Sequence, residues 1–552
     1  MKRVMILLAA LGVAVLEARA QEPEVLQAAR YLSGASSEEE VDPDWVERLE
    51  ARGGARIRVN SNRPRAGGLL TEYQLASLAD YRSRHGDILS WKELALVDGF
   101  SQEAVAALKP FLSLASDRLP GSTDTLRTHA RSLLRYGLKA VGGKLKAEGP
   151  SWRAGAAWRG SDGTFHGEYN WRSLRIVAGD FNVRWGQGLA VWSGFSMESL
   201  SSLAAFSRRA GGVSPVWSFN SSTVLRGGAA EWSPGRFRFT GFASVKGDCG
   251  LHADWLGRMG QAGISATRAA GGAFSAALDG RLNWRGMDWS GEAAWRWYPG
   301  SPKQGSPALR TAFGCPVADG GRLALQVRLL PSRFSGKKYG EYALAAGYSW
   351  RSSRWQALSG KSGFGSSVPA HELSLTADAA ALPLPGTEPH RPQIRAWASW
   401  KWQFAPSWAV ELRLTERWRN YEPARTAIRG DLRWSDGLWQ GTFRNELVRC
   451  GKAGWLTYLE GGRKDSRLSL FGRVTFFATG SYDARVYCYE RDVPGSFSVP
   501  AYAGQGIGTS FVAGWKFRLG RWRFRLDGRA GCIVKREHAP AWTLNLQLQL
   551  DR

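Results

Sequence analysis

Two sets of residues in this chain have types and spacings suited to holding an anion. Gly99-Phe100-Ser101 reads as a tight turn flanked by Lys92 and Lys109, and a glycine at a helix start lets backbone N–H groups approach a phosphate or a partner closely. Arg521, Arg523 and Arg525 alternate with Trp522, Phe524 and Leu526, while Arg413 and Arg395 stand in similar alternating runs, so guanidinium groups share one face. Their simplest roles are to bind phosphates or to pair with nearby carboxylates. Nothing comparable points to a reaction. There is no nucleophile elbow, H-E-x-x-H helix or Walker loop, and Gly186-Gln187-Gly188 lacks the third glycine, the Lys-Ser/Thr and the helix of a nucleotide loop. It reads as a bend with close backbone packing. The seven histidines (His85, His129, His166, His252, His371, His390, His538) have no ligand spacing, and the five cysteines (Cys249, Cys315, Cys450, Cys488, Cys532) form no C-x-x-C. The reading is therefore of a non-enzymatic protein without cofactor or metal.

The elements that must position the Gly99 turn are helices in residues 69–114. Thr71, Ser90 and Ser101 each supply an N-cap hydroxyl. Leu70 and Leu75, Leu89 and Leu94, and Phe100 and Val105 are spaced to clasp across these caps. Gln74 and Glu93 complete capping boxes at the first two, and Gly86 and Gly99 can close those helices. Two short helices joined at Asp98-Gly99-Phe100-Ser101 resemble a helix-hairpin-helix motif, with Ser101 in place of the usual second glycine. The wider run, with Gln74, Tyr81, Gly86, Ser90, Glu93-Leu94, Gly99-Phe100 and Pro110-Phe111, resembles the periplasmic module of a family of helix-hairpin-helix, competence receptor-like, outer-membrane β-barrel proteins of Gram-negative bacteria. The resemblance implies a hairpin that contacts DNA phosphate or a partner.

Before this module, Lys2 and Arg3 precede the apolar run 4–16, and Ala18-Arg19-Ala20 has cleavage-site spacing, so residues 1–20 read as a secretory signal peptide. Residues 21–68 read as a helical lead-in, with Asp42-Pro43 as cap and first-turn proline before Trp45, Val46 and Leu49. The acidic run Glu38-Glu39-Glu40 reads as a solvated helix start or linker. The Pro-, Gly- and Asn-rich residues 60–68 look like an eroded first copy of the family's hairpin. The module is set at 69–116 and a linker at 117–131.

From 132 to 552 the period is two. Ile394-Arg395-Ala396-Trp397-Ala398-Ser399-Trp400-Lys401-Trp402-Gln403-Phe404 has one wholly apolar and one mostly polar face, and residues 521–526, 409–414 and 542–550 alternate strictly. Tryptophans flank polar turns, as Trp284 and Trp289, Trp350 and Trp355, and Trp434 and Trp439 do, where a membrane barrel needs its aromatic girdles. The fold class expected is α plus all-β: a small N-terminal helical domain followed by a large antiparallel transmembrane β-barrel of roughly 22–26 strands. The last strand resembles the C-terminal signal read by the barrel assembly machinery, although it ends Leu-Asp-Arg rather than in an aromatic. Residues 178–195 and 225–230 resemble the same family's G-D-aromatic, G-Q-G-L and R-G-x-A runs. Residues 196–222 read as a long loop of the kind that folds into a lumen.

Charge bears on function more than motifs do. The chain carries +26, but residues 1–120 and residues 69–114 each carry −2, which leaves +28 on residues 121–552. Three functions remain: translocation of an anionic substrate through an arginine-lined lumen, with the helical domain as plug or periplasmic dock; a competence-type DNA receptor, disfavoured by the module's charge; or a structural anchor. An outer-membrane role in translocation or as an interaction platform is preferred, with outer-membrane lipids, lipopolysaccharide and a periplasmic protein as partners, and the helical domain in the periplasm or the lumen.

Overall fold

The computed structural model describes residues 22–52, 56–61, 66, 68–116, 129–138, 140–149, 151–195, 200–257, 259–300, 305–317, 320–336, 339–352, 370–381, 391–536 and 538–551. The signal peptide, residues 117–128 of the linker, Trp355 and His390 lie outside them.

The N-terminal caps do what their side chains dictate. Asp42 accepts from the Asp44 N–H at 2.9 Å and starts the Pro43–Ala51 helix. Thr71 accepts from the Gln74 N–H at 3.2 Å while Gln74 Oε1 accepts from the Thr71 N–H at 2.9 Å, a complete capping box on Glu72–His85. Ser90 and Ser101 cap Trp91–Leu94 and Gln102–Leu108. The second box and clasp are not made as expected: Glu93 accepts from the Leu89 N–H, one residue too early, and Leu89 stands 82% exposed. Phe100 and Val105 are both buried.

Lead-in and module are one domain, not two. Val25, Leu32, Trp45 and Leu49 share a core with Leu70, Leu78, Phe100, Val105, Leu108 and Phe111. Ile57–Asn60 pairs in parallel with Leu112–Ser116, so the end of the module expected to be helical is a strand. Both depend on a partner more than fifty residues away, which a local helical period does not register. Asn60 reinforces the pair: its amide donates to the carbonyls of Ile88 and Leu114 and its oxygen accepts from the Ile88 N–H.

Among the described residues, 24 antiparallel strands form a closed barrel. It starts at His129–Gly137, slightly before the expected residue 132, and closes where His538–Asp551 pairs with that first strand. Alternation places apolar groups outside and polar groups inside: Ile428 is 56% exposed whereas the neighbouring Arg429 is 5% exposed. A closed ring leaves no unpaired edge, and its apolar exterior suits lipid, which makes it a transmembrane barrel. Trp400, Trp402, Phe404, Trp408 and Trp434 stack side by side near one set of turns, with centroids 5.2–6.4 Å apart, forming part of an aromatic girdle.

Two excursions fold over the polar inner face. In the loop after Leu174–Arg184, a helical turn at Leu203–Phe206 packs Phe206 against Ala312, Ala324 and Ala345. The bend at its start, Gly186-Gln187-Gly188, has φ of +52° and +80° at the glycines and wraps the Glu292 carboxylate, which accepts from the N–H groups of Gln187 (2.6 Å), Leu189 (3.0 Å) and Ala190 (2.9 Å). The second excursion, between Leu468–Thr479 and Gln505–Leu519, carries a small hairpin, Val486–Tyr487 with Ala501–Tyr502.

Candidate functional site

The barrel's inner cations meet the acids of the helical domain along a continuous seam. Glu39, within a single helical turn at Glu38–Glu40, contacts Arg429 at 2.8 Å and also pairs with Arg444. Both guanidinium groups share Asp431, at 2.7 and 2.5 Å, and Arg444 lies over the Tyr458 ring at 5.2 Å. Burial would raise the Glu39 carboxyl, but Arg429, Arg444 and Arg413 hold it well below the usual carboxylate range. Glu39, at the centre of the acidic run, is therefore held by arginines rather than by solvent, contrary to its sequence reading.

Further along, Asp44 bridges Arg184 at 2.8 Å and Arg48 at 3.0 Å, with Trp45 lying against both guanidinium groups. These two arginines outweigh burial and lower the Asp44 carboxyl. Asp42, which has no such pair, is pushed up to about 6 by burial and then by the charge of Asp44. Glu47 pairs with Lys144, and Arg131 donates to the carbonyls of Glu50 (2.9 Å) and Ala51 (3.2 Å), a cation at the C-terminal end of a helix. Glu72 meets Arg238 at 2.5 Å, and burial raises its carboxyl to about 7 despite that arginine. Glu103 reaches Arg351 at 3.0 Å, but 48% of its side chain is exposed.

Of the residues singled out from sequence, Arg413 is buried and donates to the Ser36 carbonyl at 2.7 Å. Arg395 pairs with Asp378 at 2.6 Å and Arg525 with Asp527 at 2.9 Å. Arg523 stands exposed near a strand end opposite Arg518 and Asp551. Arg521 is not on a strand at all: it lies in the preceding turn, because the strand begins at Trp522. The hairpin faces its own domain. Gly99 has φ of +82°, a Cβ there would lie 3.0 Å from the Tyr73 ring, and its carbonyl accepts from Gln74 Nε2 at 2.8 Å. Phe100 is buried and its N–H is taken by Val97 O, while the Ser101 hydroxyl accepts from the Ala104 N–H. Lys92 and Lys109 are exposed, the latter over the Trp91 ring at 5.7 Å.

Sequence reasoning missed Glu39, Asp44 and Glu72 as contact residues. The signal was present in the opposite charges of the two regions, but not the pairing. It also missed that His252 meets Asp254 at 2.9 Å.

No protein-family model matches this chain, and no curated protein is similar to it in sequence. Among solved structures it is similar to the P pilus usher (PapC) translocation pore, with 8% identity and a TM-score of 0.35 over 77% of this chain and 98% of that one. It is similar to BauA, the ferric preacinetobactin receptor from Acinetobacter baumannii, with 10% identity and a TM-score of 0.37 over 77% and 80% of the two chains. A third likeness is to the E. coli P pilus tip assembly intermediate PapC-PapD-PapK-PapG, with 10% identity and a TM-score of 0.46 over 77% and 61%.

Proposed function

We infer that this protein is an outer-membrane translocation barrel whose N-terminal helical domain sits in the lumen as a plug, and that it admits an anionic substrate when the plug's acidic contacts are replaced. One observation carries the reading. Cations that hold the domain come from strands spread around the whole ring, Arg131, Lys144, Arg184, Arg238, Arg351, Arg413, Arg429 and Arg444 among them. A body docked outside the wall would touch only neighbouring strands. The chemistry of opening follows: with the plug displaced, Arg429 and Arg444 lose Glu39, and a phosphate or carboxylate on a substrate is the natural replacement.

The DNA-receptor reading is weaker on this geometry, since the hairpin turns Gly99 and Phe100 toward its own core. Planar-bilayer recordings test the preferred reading. The parent protein is expected to be silent or to open briefly, and a Glu39→Gln, Asp44→Asn double variant to open often with anion preference. A steadily open parent, or cation preference in the variant, would overturn it.

A further inference from the structure

At two places on the seam a plug carboxylate meets two cations, Glu39 with Arg429 and Arg444 and Asp44 with Arg48 and Arg184. At Glu72 the balance reverses. Glu72, His252 and Asp254 bring one ligand atom each to within 4.8 Å of one another, and the three are 4%, 3% and 1% exposed. Asp279 adds a third carboxylate, 3.9 Å from His252 Nδ1, and Arg238 is the guanidinium that pairs with the group. Three acids against one arginine and an imidazole is an unusual excess of negative charge inside a barrel whose residues 121–552 carry +28.

Hydrogen bonding leaves the same place unsatisfied. Asp254 Oδ1 takes His252 Nε2 at 2.9 Å and Gln261 Nε2 at 2.7 Å, and Glu72 takes Arg238. His252 Nδ1, Asp254 Oδ2, Thr240 Oγ1 and Ser265 Oγ are buried without a hydrogen-bond partner. Thr240 and Ser265 stand opposite His252 on the two adjoining strands, so these atoms share one face. Burying such groups without a hydrogen bond is costly, which argues for an occupant. The groups converge on a glycine that leaves them room: a Cβ on Gly263 would lie 2.7 Å from Asp279 Oδ1, 2.8 Å from His252 Cε1 and 2.9 Å from Asp254 Oδ1, closer than a side chain tolerates. The Trp185 ring, stacked on His252 at 4.9 Å and 17°, holds the imidazole in its plane.

We propose that Glu72, His252 and Asp254 bind one divalent transition-metal ion of the zinc class, clipping the helical domain to the barrel wall. One imidazole with two carboxylates is a borderline-to-hard donor set that suits Zn2+. Tetrahedral ligands at 2.0–2.1 Å lie about 3.3 Å apart, so the widest pair closes by about 1.5 Å through side-chain rotation. The ion replaces the His252–Asp254 hydrogen bond and neutralises the surplus carboxylates. This inference needs only the contact of Glu72 with the strand Cys249–Leu256 and is independent of what crosses the barrel.

The test uses the full chain in detergent, stripped with chelator and titrated with Zn2+ alone by competition calorimetry. The expected result is one Zn2+ per chain with sub-micromolar Kd, weakened at least tenfold in His252→Ala and in Glu72→Gln. X-ray absorption of the loaded parent should show one imidazole nitrogen with oxygen donors, a readout that does not depend on how well any variant folds. Zn2+ should also slow proteolysis of the helical domain in the parent but not in Glu72→Gln. No binding, several weak equivalent sites, sulfur in the absorption spectrum, or unchanged affinity in His252→Ala would each overturn the proposal.

Discussion

Replacing Glu39 by Gln removes one charge from a largely buried cluster while keeping the side chain's size. Taking one partner from a buried ion pair costs about 3–5 kcal/mol when the other charge is left alone. Here it is not left alone, because Arg429 and Arg444 keep Asp431 and Arg444 keeps the Tyr458 ring, and an amide oxygen can still accept one hydrogen bond. The expected loss is therefore about 2 kcal/mol, or roughly a 30-fold rise in the undocked population at 1.4 kcal/mol per factor of ten. Glu103→Gln is the matched control. Its pair with Arg351 is half exposed, so it should cost at most about 0.5 kcal/mol, roughly twofold. Protease cleavage within the helical domain of the intact protein, under conditions where opening precedes cutting, reads this population directly. Equal sensitivity of the two variants, or protection unchanged in Glu39→Gln, would refute the view that buried seam contacts hold the domain.

Three further outcomes follow from single residues. Because the Asp42 carboxyl is raised to about 6, the folded state binds more protons than the unfolded state between about pH 4 and 6, and its stability falls as pH rises through that window, by about 2–3 kcal/mol in all. Asp42→Asn keeps the cap and should remove that slope from a pH series of urea midpoints; an unchanged difference between parent and variant would count against it. Gly99→Ala should cost about 1–3 kcal/mol, since it combines φ of +82° with a Cβ against Tyr73, and thermal unfolding should show it; a neutral substitution would mean the turn is loosely held. The fragment 22–116 should bind duplex DNA weakly at physiological salt, and a sub-micromolar complex with a steep salt slope in anisotropy titrations would restore the DNA-receptor reading.

What the sequence made legible was local. Alternation at Ile428-Arg429 needs no knowledge of the rest of the chain, and neither do the caps at Asp42, Thr71, Ser90 and Ser101. The seam was not legible, because its partners are far apart in sequence: Glu39 lies 390 residues from Arg429 and 405 from Arg444. A run of three glutamates looks solvated until the strands that neutralise it are in place. The strand at Leu112–Ser116 was hidden for the same reason, as its partner Ile57–Asn60 lies across three helices. Arg521 shows the opposite limit: strict alternation carried a strand one residue past its start, into a turn.

Arg131 has two tasks that are easy to treat separately. Its Nε meets Asp551 at 2.5 Å where the last strand joins the first, and its Nη1 holds the carbonyls that end the Pro43–Ala51 helix. The final zipping of the sheet and the seating of the helices are thus registered by one side chain across 420 residues of chain. The helical domain is synthesised first and has its own core, so it can fold before most of the sheet exists. When the last strand pairs with the first, Arg131 can then meet Asp551 and the helix carbonyls together.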